Sequence, residues 1–95
     1  MHIGSSIRIV RKGKYMSQVT LADKARITQA ALSQIELGNA RPGIKTLAAI
    51  SKALETPEAV LHLMAIDKSD FPKGKRELFE ALWPTMKDML WRLCV

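Results

Sequence analysis

Apolar residues along the chain recur at three- and four-residue spacing, the period of helices with one buried face. Ile3, Ile7 and Val10 mark a first helix that opens near Gly4 to Ser6, where serines can cap free N–H groups. It closes at Gly13, flanked by Lys12 and Lys14, where cations meet the negative helix pole. Ser17 is a natural N-cap for a second helix, in which Leu21 and Ala25 bury at i, i+4 and Ala22 lets another helix cross closely. A tight turn at Ala25, Arg26 and Ile27 leads to Thr28, the cap of a third helix that Gly38 ends. After a loop containing Arg41, a fourth helix takes Ile44, Leu47, Ile50 and Leu54 inward. Thr56, Pro57 and Glu58 combine a cap, a proline at the first position and an acid at the positive pole, and start a fifth helix that buries Val60, Leu61 and Met64.

From Asp67 to Lys75 the apolar period is lost and Pro72 and Gly74 enter, which reads as a linker. Leu78, Phe79, Leu82, Trp83, Met86, Met89, Leu90 and Leu93 then restore the period over roughly residues 76–93. Pro84 interrupts that run, predicting a kink or two short helices meeting at Trp83. The expected fold is all-α: a compact five-helix domain over 1–66, a linker over 67–75 and a helical extension over 76–95.

The third helix is unusual on its outer face. Stepping about 100° per residue from Gln29, Ala31, Leu32 and Ile35 fall between roughly 200° and 300° as a core stripe. Gln29, Ala30, Ser33, Gln34 and Leu37 fall between about 0° and 140° as a surface carrying no charge. Surface helices are usually solvated by Lys and Glu. Amides that donate and accept in one plane match the edge of adenine in the major groove, and small residues between them allow close approach.

Charge sharpens this picture. The formal net charge is +6, and residues 1–66 hold nine Lys or Arg against four acids, whereas residues 67–95 hold six against five. The positive field thus belongs to the segment with the helix pair and suits a polyanionic partner. With 95 residues, 47% hydrophobic and 25% charged, the chain has the balance of one soluble globular domain with an appendage. Cys94 is the only cysteine, so no internal disulfide forms and a reducing, cytoplasmic setting is expected. Arg8, Arg11, Lys12 and Lys14 break the apolar residues of the first twenty, so no signal peptide is expected, and no run approaches a membrane span.

Catalytic chemistry finds no support. His2 and His62 have no partner at metal-ligand spacing, no Ser, His and Asp arrangement is available, and a phosphate-cradling glycine motif is missing. Neither an enzyme, a metal site nor a cofactor is expected.

The motifs Arg11, Ser17-Gln18, Leu21-Ala22, Ile27-Thr28, Leu32, Ile35-Glu36, Gly38, Arg41-Pro42, Leu47 and Lys52-Ala53-Leu54 appear in order over residues 3–64. In this they resemble the helix-turn-helix domains of the phage repressor and Cro type, also called the xenobiotic-response-element type. The resemblance implies a lambda-repressor-like domain that places helix 28–37 in the major groove of bacterial or phage DNA. By that likeness Gln29, Ala30, Ser33 and Gln34 stand where bases are read. Gln18, Thr28, Asn39, Arg41 and Lys45 stand where the DNA backbone is held, and Arg11 and Glu36 match a structural ion pair. Arg8, Lys12 and Lys14 read as a solvated face. The chain departs from the pattern at Tyr15 and Arg26, where glycine or asparagine often supplies a positive φ, at Ser51 in place of alanine, and at the apolar Leu37.

Three roles are open to the extension. Its apolar stripe could pack on its own domain, or Phe79, Leu82, Trp83, Met86, Leu90 and Leu93 could form a dimerisation surface. A membrane-surface role is disfavoured, because Glu77, Glu80 and Asp88 nearly cancel its cations. The function expected is a homodimeric transcriptional repressor on a palindromic duplex site. The alternative is an antitoxin-like or adaptor protein whose C-terminal helix holds a partner protein while the DNA domain autoregulates.

Overall fold

The structure, a computed structural model, describes residues 2–94. Its six α-helices are α1 (Ile3–Gly13), α2 (Gln18–Ala25), α3 (Gln29–Leu37), α4 (Ile44–Leu54), α5 (Glu58–Met64) and α6 (Lys73–Cys94), with a single 3₁₀ turn at Lys68–Asp70 before α6. Helix α2 packs on α4 and α3, and α1 bridges α3 and α5. Ile7, Val10, Leu21, Leu32, Ile50, Leu54 and Leu61 are fully buried where these five helices converge.

Four helices end alike. Tyr15, Arg26, Gly38 and Glu55 have φ of 55°, 58°, 83° and 53°, in the left-handed region. In each case the next residue's N–H returns to a carbonyl five residues back: Met16 to Arg11, Ile27 to Ala22, Asn39 to Gln34 and Thr56 to Ser51. Three of the four are not glycine, so the chain accepts about 1–2 kcal/mol of backbone strain at each of them.

Side-chain caps at Ser17 and Thr28 start α2 and α3, accepting from the backbone N–H of Thr20 and Ala31 at 3.0 Å. Helix α1 starts differently from the sequence expectation. It opens at Ile3, and His2 rather than a serine is the cap, its Nδ1 accepting from the Ser5 N–H at 3.2 Å. The ring also lies against Gly38, where a Cβ would collide with it, so His2 joins the start of α1 to the end of α3. Thr56 likewise does not cap α5. It is buried and its hydroxyl donates to the Leu54 carbonyl, closing α4, while Pro57 takes the cap position of α5.

Three further expectations change. Ile44 is 91% exposed, because it is the first residue of α4 and projects a turn ahead of the core. Ala31 is exposed rather than part of the core stripe, since the expected pairing of Glu36 with Arg11 rotates the inward face of α3 towards Glu36. Lys14 is not simply solvated: its Nζ donates to the Leu54 carbonyl at 2.5 Å, placing a cation on the negative end of α4.

Helix α6 begins at Lys73 and runs continuously through Pro84 rather than dividing at Trp83. Pro84 and Glu80 are both exposed, so the Glu80 carbonyl that loses its donor can be met by water. The last turns of α6 dock on the domain. Trp91 lies over Gly13 so closely that a Cβ there would enter its ring, Leu90 packs on the core, and Cys94 is buried. Upstream, Phe71, Phe79 and Trp83 stack with centroids 4.8 and 5.3 Å apart. Among the described residues, no helix is long and apolar enough to cross a membrane.

Two substitutions test this account in denaturant or thermal unfolding. Glu36→Ala strands the buried Arg11 guanidinium, and a loss of about 3–5 kcal/mol is expected; a loss under about 1 kcal/mol is what a solvated pair gives. Tyr15→Gly removes left-handed strain at a residue 97% exposed, and a gain of about 0.5–1 kcal/mol is expected. A loss of stability there instead assigns packing value to the tyrosine ring.

Candidate nucleic-acid interface

The helix pair α2 and α3 is held from behind by one polar network. Arg11 Nε and Nη2 donate to the two carboxylate oxygens of Glu36 at 2.8 and 2.9 Å. Arg11 Nη1 donates to the Met16 carbonyl at 2.8 Å, in the turn that enters α2. Gln18 Nε2 donates to Glu36 Oε1 at 3.0 Å. One carboxylate therefore ties α1, the first residue of α2 and the last turn of α3. Both charges are buried, and a planar guanidinium facing a carboxylate sets angle as well as distance.

In front of this network α3 turns its amides and small residues outward. Gln29, Ala30 and Gln34 are exposed and Ser33 is half-buried. Leu37 is exposed at the C-terminal end of the same face. The Gln29 side chain makes no hydrogen bond to any described residue, so its amide is available on both edges. Gln34 is engaged: its Oε1 accepts from Asn39 Nδ2 at 3.0 Å, and its backbone carbonyl accepts from the N–H of Asn39 and Ala40.

The flanking residues expected from sequence fall on both sides of α3. Thr28 is at its start, exposed, with its side-chain oxygen committed to the cap. Asn39 and Arg41 lie in the loop after it and Lys45 near the start of α4, all three exposed. Arg41 shares a cleft with His2, Gly38, Pro42 and His62. Gln18 is half-buried, its side-chain nitrogen given to Glu36 rather than left free.

Sequence reading set aside one residue that the fold brings to this face. Arg8 lines a shallow cleft with Gln18, Ser33 and Leu37, at the seam of α1, α2 and α3, and is exposed. Its position three residues before Arg11 was the available signal, because it puts the two arginines on neighbouring rows of α1. The expected dimerisation residues divide. Phe79 and Trp83 are half-buried in the aromatic stack and Leu90 is turned to its own core, whereas Leu82, Met86 and Leu93 are exposed together with Leu78 and Met89.

Comparison with known proteins agrees with this geometry. A family model described as helix-turn-helix matches residues 7–61. The immunity repressor protein of Bacillus phage phi105 is 37% identical over 54 residues, covering 57% of this chain and 38% of the repressor. An uncharacterized HTH-type transcriptional regulator of Sinorhizobium fredii is also 37% identical over 54 residues, covering 57% of this chain and 28% of that regulator. The chain thus spans well under half the length of these two relatives. Among solved structures, a point mutant of the restriction-modification controller protein C.Esp1396I superposes with a TM-score of 0.61 at 34% identity, covering 65% of this chain and 80% of that one. With its motifs in order, five helices around a buried Arg11–Glu36 pair and a matching family model, the chain belongs to the phage repressor and Cro type of the helix-turn-helix family, whose members are DNA-binding transcriptional regulators.

Proposed function

We propose that the protein is a sequence-specific double-stranded DNA-binding repressor that reads a palindromic operator as a homodimer, with α3 in the major groove. The observation that carries this reading is the uncharged, outward face of α3, which the Arg11–Glu36 network holds at a fixed angle to α2. Gln29, Ala30, Ser33 and Gln34 meet base edges. Gln18, Thr28, Asn39, Arg41 and Lys45 meet phosphates, joined by Arg8. Gln18 acts mainly through its backbone N–H at the first position of α2, since its side-chain nitrogen is engaged with Glu36. The likeness to a phage immunity repressor favours repression.

One such helix reads only about 4 to 6 base pairs, so two copies on half-sites about one helical turn apart supply specificity. Residues 1–66 are the reading unit and 76–95 the pairing unit, with 67–75 between them. The exposed stripe of Leu78, Leu82, Met86, Met89 and Leu93 supports pairing, because it is too apolar to be left wet. The same stripe supports a second reading, in which an antitoxin-like or adaptor chain holds a different protein there.

Binding to duplexes selected from random sequence tests the first part. Gln29→Ala or Gln34→Ala is expected to weaken binding by about 1–3 kcal/mol and to relax preference at one base pair. An equal loss on every sequence makes that residue a backbone contact, and no preference for selected over scrambled DNA removes the reading altogether. Light scattering of the full chain tests the second part. Leu82→Glu, at a half-exposed position, is expected to convert a dimer to a monomer and to lower affinity for a two-half-site duplex on the order of 100-fold. A wild-type chain that is monomeric at micromolar concentration gives the stripe to a different partner.

A further inference from the structure

Gln34 and Asn39 form a hydrogen-bonded pair at the C-terminal end of the exposed α3 face, and the direction of that bond has a chemical consequence. Asn39 can donate through its side-chain nitrogen only to an acceptor, so at 3.0 Å it draws the carbonyl oxygen of the Gln34 amide towards the loop. Backbone bonds from Asn39 and Ala40 to the Gln34 carbonyl, with Gly38 in the left-handed region, hold the loop in position to do this. The group that Gln34 then turns outward is its –NH₂, a donor, while its oxygen faces the loop.

We infer that Asn39 is a specificity-determining residue that sets which base Gln34 reads, by turning the Gln34 amide so that it offers donors and therefore selects guanine, and after it thymine, over adenine. This rests on the reading of α3 as the base-contacting helix. A glutamine free to rotate matches adenine, giving a hydrogen bond to N7 and taking one from the N6 amine. A glutamine whose oxygen is held by Asn39 faces that amine with a donor and gains less. Guanine presents two acceptors, N7 and O6, and thymine one, O4. Gln29, with no such restraint, keeps the adenine match. The two amides on one helix face, identical in sequence chemistry, thus read different bases.

The decisive variant is Asn39→Asp, which keeps the shape of the side chain and reverses the polarity of the bond. An ionised carboxylate accepts from the Gln34 nitrogen and turns its oxygen outward, towards the amines of cytosine N4 or adenine N6. Full-length wild type, Asn39→Asp, Asn39→Ala and Gln34→Ala are each titrated with four duplexes that differ only at the base pair where Gln34→Ala erases preference. The readout is the ratio of affinities among the four, because the added negative charge of aspartate lowers all of them together.

Wild type is expected to favour guanine over adenine on the order of tenfold. Asn39→Asp is expected to pass the preference to cytosine or adenine, and Asn39→Ala to bring adenine level with guanine. The same order of bases in wild type and both Asn39 variants overturns the inference, as does a wild-type preference for adenine at that pair. If Gln34→Ala erases a preference that Asn39→Asp leaves unchanged, only the coupling fails. If Gln34→Ala changes no preference at any base pair, the base-reading role of Gln34 fails with it. Should Asn39→Asp not fold, by thermal denaturation, the levelling in Asn39→Ala decides the matter.

Discussion

Burying the Arg11 guanidinium against the Glu36 carboxylate is the constraint on which the reading face depends. Taking two such ions out of water costs several kcal/mol each, and an apolar pair of similar volume can often match or exceed the net stability of a buried ion pair. What an apolar pair does not supply is direction. Glu36 accepts from two Arg11 nitrogens and from Gln18, and the third Arg11 nitrogen donates to the Met16 carbonyl, so every nitrogen of the guanidinium is engaged in this one arrangement of three helices. A rotation of α3 by a fraction of a turn would break at least one of these bonds between largely buried charges. The outer face of α3 is held at a defined angle for the same reason that its inner face is buried.

The helix ends make the same arrangement short enough to work. Left-handed residues at Tyr15, Arg26, Gly38 and Glu55 turn the chain within connections of three to six residues, which lets five helices share one small core. Only at Gly38 is glycine also demanded by space, because the His2 ring occupies the position of a Cβ. At Gly4 a Cβ would run into the Ile35 carbonyl, so the first turn of α1 meets the last turn of α3 backbone to backbone, next to the Glu36 that Arg11 reaches from the other end of α1. Close approach and the buried ion pair are thus two parts of one contact.

What the sequence disclosed were features whose cause is local. Ser17 and Thr28 cap the helices they precede because the bond spans three residues, and Gly38 ends α3 because a left-handed residue follows the last turn. Features set by a distant neighbour were not legible. Ile44 has the right period for the core, but nothing in its neighbours tells that α4 starts a turn before the core does. Ala31 has the angle of the core stripe and yet lies outside, although the Arg11–Glu36 pair that turns Glu36 inward was itself implied by the family resemblance. His2 lies against Gly38, far along the chain, while Thr56 was misread between two local choices, closing α4 although the two residues after it look like a helix start. The uncharged outer face of α3 was legible from the wheel, and the four candidate base readers on it were named by the family resemblance. That Gln34 is bound to Asn39 and Gln29 is not was invisible, because it depends on where the loop after Gly38 returns.

Helix α6 completes the argument, since its two ends do different things. Twenty-two residues at about 1.5 Å each make a rod of about 33 Å, most of the 42 Å long axis of the molecule. Its last turns are fastened by Trp91 on Gly13, Leu90 on the core and Cys94 in the interior, and its first turns by contact with the 3₁₀ turn before it. The exposed stripe from Leu78 to Leu93 is therefore carried by one continuous helix whose last turns are fastened to the domain, and not by a free tail. In the homodimer proposed above, the distance between two copies of α3 is then set by packing inside each protomer rather than by the reach of a linker. In such a homodimer a rigid pairing unit would accept one half-site spacing and reject others, selecting sites by geometry without touching a base.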